Sequence, residues 1–240
     1  MPPTPPPPVA PRDIAIVIPC HQVRRHIATV LDNLQNRPDT AIYVIDDACP
    51  ERTGAYVAAR YPTVTVLHHP TNQGVGGAVL TGYAQALADG HRIVVKMDGD
   101  DQMDPAHLDA LITPVRNGQA AYTKGNRFAT WPRAMPPARI LGNLAASATM
   151  PLISQWRGMD PCNGYTAIHA DLLRKLPYDR LERRYFFECD MLCWLASIGA
   201  PIRDIPIPAR YGDEHSGLDT ARAIREFFPR FAARLVRRAW

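Results

Sequence analysis

From Ile14 to Thr123 the chain alternates short, largely apolar runs with stretches in which apolar residues recur every three or four positions. Ile14–Ile18, Ile42–Ile45, Val64–Leu67 and Ile93–Met97 are continuous runs of strand length, and Ala120–Thr123 is a shorter fifth. Between them, Ile27, Val30, Leu31 and Leu34 fall at i, i+3, i+4 and i+7, the spacing of one helix face. A second helix is predicted near Arg52–Arg60, and a third carries Val75, Ala78, Val79, Gly82 and Ala86 on one stripe. Pro105 opens a fourth, with Leu108, Leu111, Ile112 and Val115 on a shared face. Unbroken apolar strands separated by amphipathic helices predict an α/β fold, a mostly parallel sheet covered on both sides. The second half is less regular. Met135–Trp156 and Phe186–Ile198 read as helices, Asp160–His169 as a loop entering a strand, and Pro201–Arg210 as an extended, proline-punctuated stretch.

The ends of the chain break this pattern. Seven prolines in Met1–Pro11 prevent any core element, so residues 1–12 are read as a disordered tail and 13–217 as the single globular domain. Residues 218–240 carry Arg222, Arg225, Arg230, Arg234, Arg237 and Arg238. Along the same segment Ile224, Phe227, Phe228, Phe231 and Leu235 make a helical stripe, which predicts a basic amphipathic helix suited to an anionic bilayer surface. The competing expectation is that this stripe docks on the domain's own core.

Length and charge narrow the classes further. The chain's 240 residues suffice for one sizeable core, and a net charge of +4 is too small to argue for a nucleic-acid partner. There is no apolar run of about 18 residues to span a membrane, and no secretory leader. The five cysteines match no zinc spacing and read as reduced thiols of a cytoplasmic protein.

In a parallel sheet, ligands sit outside the carboxyl ends of the strands. Three of those ends carry polar groups: Pro19-Cys20-His21-Gln22, Asp46-Asp47 and Asp98-Gly99-Asp100-Asp101-Gln102. Successive residues of an extended segment alternate faces, so Asp98 and Asp100 are expected to point together and share a hard divalent cation. A cation held by one or two carboxylates keeps positions open for phosphate oxygens, which points to chemistry on a diphosphate. Gly74-Val75-Gly76-Gly77 has neither Walker nor dinucleotide spacing; by itself it reads as a close-packed helix start.

Taken in order, Ile18-Pro19, Val44–Asp47, Asn72–Ala78 and Asp98–Pro105 resemble an inverting family-2 glycosyltransferase of GT-A fold. Lys124–Phe128, Asp160–Tyr165 and Tyr185–Leu192 resemble its dolichol-phosphate-mannose-synthase-like branch, which passes a hexose to a polyprenyl phosphate. That resemblance implies a UDP- or GDP-hexose donor and Mg2+ or Mn2+ held by Asp98, Asp100 and Gln102. It places Pro19, Asp46, Asp47 and Gly76 around the nucleotide, and His215 in a segment, Arg210–Ser216, that closes over the donor. Arg127 matches a basic residue at the acceptor phosphate, and Asp100 belongs with it among the catalytic positions. Glu188 and Asp190 stand where hydroxyl-acceptor relatives keep a general base. Since a phosphate acceptor is already anionic, it needs a positioning cation and no such base. The implied location is peripheral, on the cytoplasmic face of a membrane. Cys20-His21-Gln22 departs from the family's usual tyrosine-asparagine-glutamate. Two alternatives therefore remain: transfer to a glycan hydroxyl, or a weakly active nucleotide-binding relative.

Overall fold

A computed structural model describes residues 13–129, 135–210, 227 and 229–234. Seven strands form one sheet in the order β3-β2-β1-β4-β6-β5-β7. At its centre β1 (Ile14–Cys20) is buried at every residue. It pairs in parallel with β2 (Thr40–Asp46) on one side and β4 (Ile93–Lys96) on the other. β3 (Thr65–His68) adds in parallel to β2. The second half completes the sheet differently. β6 (Thr166–His169) runs antiparallel to both β4 and β5 (Tyr122–Asn126), and β7 (Ile202–Pro206) lies parallel to β5 at the edge.

Helices cover both faces because the central strands β1, β2 and β4 carry apolar side chains on both. On one face α3 (Val75–Ala88) packs Ala78, Val79 and Tyr83 against Val17 and Ile45. Gly82 lets it approach: a Cβ there would overlap the Val17 side chain. α7 (Phe187–Ser197) shares that layer, joined by α6 (Ala170–Leu173) and α5 (Pro137–Ile153). The opposite face is covered by α1 (Ile27–Leu34), α2 (Thr53–Arg60) and α4 (Leu108–Arg116). Each aliphatic side chain fully buried in these layers contributes roughly 1.5–3 kcal/mol.

The predicted elements of the first half all form, with bounds shifted by a residue or two. β5 is the largest displacement, extending through the polar Lys124-Gly125-Asn126. Those residues pair with Asp204, Ile205 and Pro206 of β7, a partner that local hydrophobicity does not reveal. The basic tail also departs from the bilayer expectation where it is described. Residues 229–234 are helical, and Phe227 and Phe231 pack edge-on against Phe186 at 5.4 and 5.0 Å. Arg230 pairs with Glu182 at 2.9 Å, and Arg234 pairs with the buried Asp190. This part of the stripe faces the domain. The proline-rich segment 1–12, the 211–226 segment with His215, and the last six residues lie outside the described residues.

Candidate active site

The carboxyl ends of β1, β2, β4 and β5 and the amino end of β6 open on one edge of the sheet. A cavity of about 910 Å3 sits there, the size of a ligand site. Pro19 at the end of β1, Asp47 after β2, Asp98, Asp100 and Gln102 after β4, and Arg127 after β5 all line it, with Glu188 from α7. Five strand- or helix-end segments therefore bring most of the predicted residues to one place.

Asp98 and Asp100 share that wall by a different backbone path from the one expected. The strand ends at Lys96, and the residues beyond it form a turn in which Asp101 adopts φ +64°. Asp100 Oδ1 accepts the Gln102 amide at 3.1 Å, and Asp98 Oδ1 lies 2.9 Å from Lys96 Nζ. Asp101 Oδ1 in the same turn is buried with no hydrogen-bond partner. These donors are all oxygens, which suits Mg2+ or Mn2+ and no soft metal. Among the described residues, no three His, Cys, Asp or Glu side chains converge on a point. A cation here would thus depend on one or two carboxylates and take its remaining ligands from phosphate and water.

Lys96 was not singled out in the sequence, yet it organises the cavity floor. It sits in the apolar run Ile93-Val94-Val95-Lys96-Met97, and its side chain is 3% exposed. Its ammonium donates to Glu188 Oε1 at 2.6 Å while also contacting Asp98. Burial opposes its charge, but the two carboxylates outweigh that and hold the ammonium above the usual lysine range. Gly164 makes room: a Cβ there would overlap Lys96 Nζ. The residues that resemble separate family motifs thus meet around one ion-pair cluster.

Asp160 has a parallel duty towards Arg127. Its fully buried carboxylate accepts Arg127 Nε at 2.8 Å, Nη2 at 2.7 Å and the backbone N at 3.0 Å. Burial works against this carboxylate, yet Arg127 prevails and holds its pKa below the ordinary aspartate value. Such a two-pronged pair fixes the plane of the guanidinium at the cavity wall. The signal that could have located Asp160 was its place in Asp160-Pro161-Cys162-Asn163-Gly164, an acid in a turn bordered by small and polar residues.

Other predicted residues serve the frame. Asp47 lines the cavity, but its carboxylate accepts from the Gln73 and Gly74 amides, both at 2.8 Å, and meets His69 Nδ1 at 2.7 Å. It anchors the loop into α3, where Gly74 takes φ +87°. Asp46 lies away from the cavity lining and holds the start of α2 through the Cys49 and Gly54 amides at 2.7 and 2.6 Å. Gly76 also lies off the lining; a Cβ there would stand 2.5 Å from Glu182 O and 2.8 Å from Phe187. It is a packing glycine between α3 and the start of α7. Asp190, two residues beyond Glu188, points to the other side of α7, accepts the Glu182 amide at 3.0 Å and pairs with Arg234. Burial raises its carboxyl above the usual range against that pairing.

This sheet, with its acidic turn after β4, is that of the GT-A class. A glucosyl-3-phosphoglycerate synthase from Mycobacterium tuberculosis, solved with Mn2+, UDP-glucose and phosphoglyceric acid, superposes with a TM-score of 0.70 at 20% identity. The match covers 95% of this chain and 79% of that one. The Glycosyl transferase family 2 model matches residues 15–175, and the chain belongs to that family: it is a glycosyltransferase. Among its relatives is an undecaprenyl-phosphate mannosyltransferase of Micrococcus luteus, 30% identical across 81% of this chain and 82% of its own length. Another is the UDP-N-acetylglucosamine--dolichyl-phosphate N-acetylglucosaminyltransferase of Methanococcus voltae, 26% identical across 82% and 86%. The chain is therefore related to the polyprenyl-phosphate sugar transferases.

Proposed function

We propose that this enzyme is a metal-dependent, inverting hexosyltransferase that passes sugar from a nucleoside diphosphate to a polyprenyl phosphate. The observation that carries the acceptor assignment is the 2.6 Å bond between Lys96 and Glu188. A general base must be able to take a proton. Here Glu188 Oε1 is already engaged by the buried Lys96 ammonium, and Asp190 is turned away and paired with Arg234. A phosphate acceptor needs neither. One of its oxygens attacks C1 of the sugar as the bond from C1 to the diphosphate oxygen breaks, and this single displacement inverts the anomeric centre. Arg127, aimed by Asp160, is the cation that places the acceptor. Asp98, Asp100 and Gln102 would hold Mg2+ or Mn2+, which when bound offsets charge on the leaving diphosphate. The named activities of the Micrococcus and Methanococcus relatives support a lipid-phosphate acceptor, and the Mn2+ in the mycobacterial structure supports a divalent cation.

Among the described residues no helix is long and apolar enough to cross a membrane. The polyprenyl-phosphate activities named for the relatives support an enzyme that meets its lipid at the membrane surface. Free Cys20, Cys49, Cys162, Cys189 and Cys193 support a reducing, cytoplasmic setting. The test is transfer of labelled hexose from UDP- and GDP-sugars with Mg2+ or Mn2+, with and without polyprenyl phosphate. Label is expected in the lipid phase only when the lipid phosphate is present, with an inverted anomeric configuration and loss of signal on chelation. Equal sugar release with and without lipid would overturn the assignment.

A further inference from the structure

Two thiols face each other beside the cavity. Cys162 stands in the turn before β6, half-buried, and lines the cavity wall. Cys189 lies in the first turn of α7 and is fully buried. Their sulfurs are 3.9 Å apart, although the residues are 27 positions apart in sequence. That separation is direct contact and leaves no room for an atom between them. A disulfide needs about 2.05 Å, so the pair stands about 2 Å short of a bond. Cys49, by contrast, meets the Gln22 amide and the Thr53 hydroxyl, both at 3.1 Å.

Each of the two cysteines adjoins one arm of the ion-pair frame of the site. Asp160, two residues before Cys162, grips Arg127, and Gly164, two residues after it, makes room for Lys96 Nζ. Glu188, next to Cys189, accepts that same ammonium at 2.6 Å. The sulfur contact therefore bridges the turn that aims Arg127 and the helix that anchors Lys96. The two thiols differ in reactivity. Contact with Cys162 and burial both push the Cys189 thiol up, so it keeps its proton. Cys162 is the sulfur that a small solute in the cavity meets first. An accessible cysteine with a second thiol in contact is the arrangement of a redox-sensing residue and its resolving partner.

We propose that Cys162 and Cys189 are a peroxide-oxidisable pair whose disulfide reversibly lowers sugar transfer. The oxidant is hydrogen peroxide, small and polar enough to enter the cavity. The Cys162 sulfur attacks one of its oxygens, the O–O bond breaks, and a sulfenic acid and one water form. The Cys189 sulfur then attacks the Cys162 sulfur. The S–O bond breaks, and the hydroxyl leaves as a second water with the Cys189 proton. Together the two thiols give up two electrons and two protons, and one peroxide becomes two waters. Drawing the sulfurs together moves the turn of Asp160 against the helix of Glu188. A shift of about 1 Å in such a frame can lower a rate about 100-fold. The sulfur chemistry holds whichever acceptor the enzyme uses.

The test treats the full chain, first reduced and then freed of reductant, with hydrogen peroxide. Free thiols are then blocked, the disulfide is mapped by mass spectrometry, and hexose transfer is measured on the same samples. A peptide joining Cys162 to Cys189 is expected, with transfer lowered about ten-fold or more and restored by dithiothreitol. Cys162→Ser should show no such loss under the same treatment, and Cys162→Ala replaces it if serine disturbs the turn. Absence of the joined peptide, a disulfide between other cysteines, or full transfer by the cross-linked enzyme overturns the inference. So does an equal, reductant-reversible loss in the Cys162 variants. An untreated enzyme that moves no sugar to a lipid phosphate contradicts the acceptor assignment instead, while the peptide map still decides the sulfur bond.

Discussion

Lys96 carries the most consequence of any single residue. It joins the acidic turn after β4 to α7 through two carboxylates inside the protein. Replacing it with methionine keeps the bulk but leaves Glu188 buried without its cation. Breaking a buried pair in this way costs up to about 3–5 kcal/mol, less whatever the cavity restores by admitting water to Glu188. Urea unfolding should show this for Lys96→Met, and Lys96→Met/Glu188→Leu should regain part of the loss. Equal stability of Lys96→Met and wild type would contradict the pairing. Asp160 gives a pH signature. Its folded-state pKa is depressed, so the stability it contributes is fully present above the unfolded aspartate value of about 3.9. That contribution is lost as pH falls through the lower folded value. Wild type and Asp160→Asn should therefore differ in melting temperature at pH 6 and converge on acidification; a gap constant with pH would mean that Asp160 acts through packing alone. Neither residue was given a role from the sequence, although Asp160 stood in one of the family-like motifs. Lys96 was hidden in an apolar run that reads as strand, and Asp160 becomes informative only once folding brings Arg127 within 2.8 Å of it.

At the scale of elements, the tail helix behaves as a structural strut over α7. Phe227 and Phe231 cover Phe186, and Arg230 and Arg234 neutralise Glu182 and Asp190. Ending the chain at Leu218 should therefore lower the melting temperature by several degrees, since roughly 2–4 °C accompanies each kcal/mol in a domain of this size. A shortened chain that melts with the full one would show that these contacts contribute nothing. The amphipathic pattern of the tail was plain in the sequence, but the same pattern serves a bilayer and a protein surface equally well. What distinguishes them is the partner across the interface, here Phe186 and Asp190. β1, β2 and β4 were readable because they are largely buried on both faces and announce themselves locally, and the edge strand β3 by its short apolar run. The β6-β5-β7 half was less so, since its order depends on pairings between distant segments, such as Lys124 with Asp204.

For the whole molecule, fold and chemistry divide along the sheet. The parallel half supplies the cavity edge lined by Asp98, Asp100 and Gln102, which the proposal gives to the donor diphosphate. The turn before the antiparallel strand β6 brings Asp160 to Arg127 beyond β5, and Lys96 at the end of β4 joins Glu188 of α7 in the same cavity, on the side the proposal gives to the acceptor. The family motifs made this division foreseeable in outline. They left open whether Glu188 works as a base, because that depends on a lysine 92 positions away in sequence. The most direct measurement is a side-by-side comparison of Glu188→Gln and Arg127→Ala in hexose transfer to polyprenyl phosphate, with circular dichroism confirming that both are folded. Glu188→Gln should keep activity within about ten-fold of wild type, whereas Arg127→Ala should lose about 10- to 100-fold in use of the acceptor, the worth of a charge-assisted hydrogen bond. Abolished transfer in Glu188→Gln beside a silent Arg127→Ala would contradict the account and make Glu188 the base for a hydroxyl acceptor.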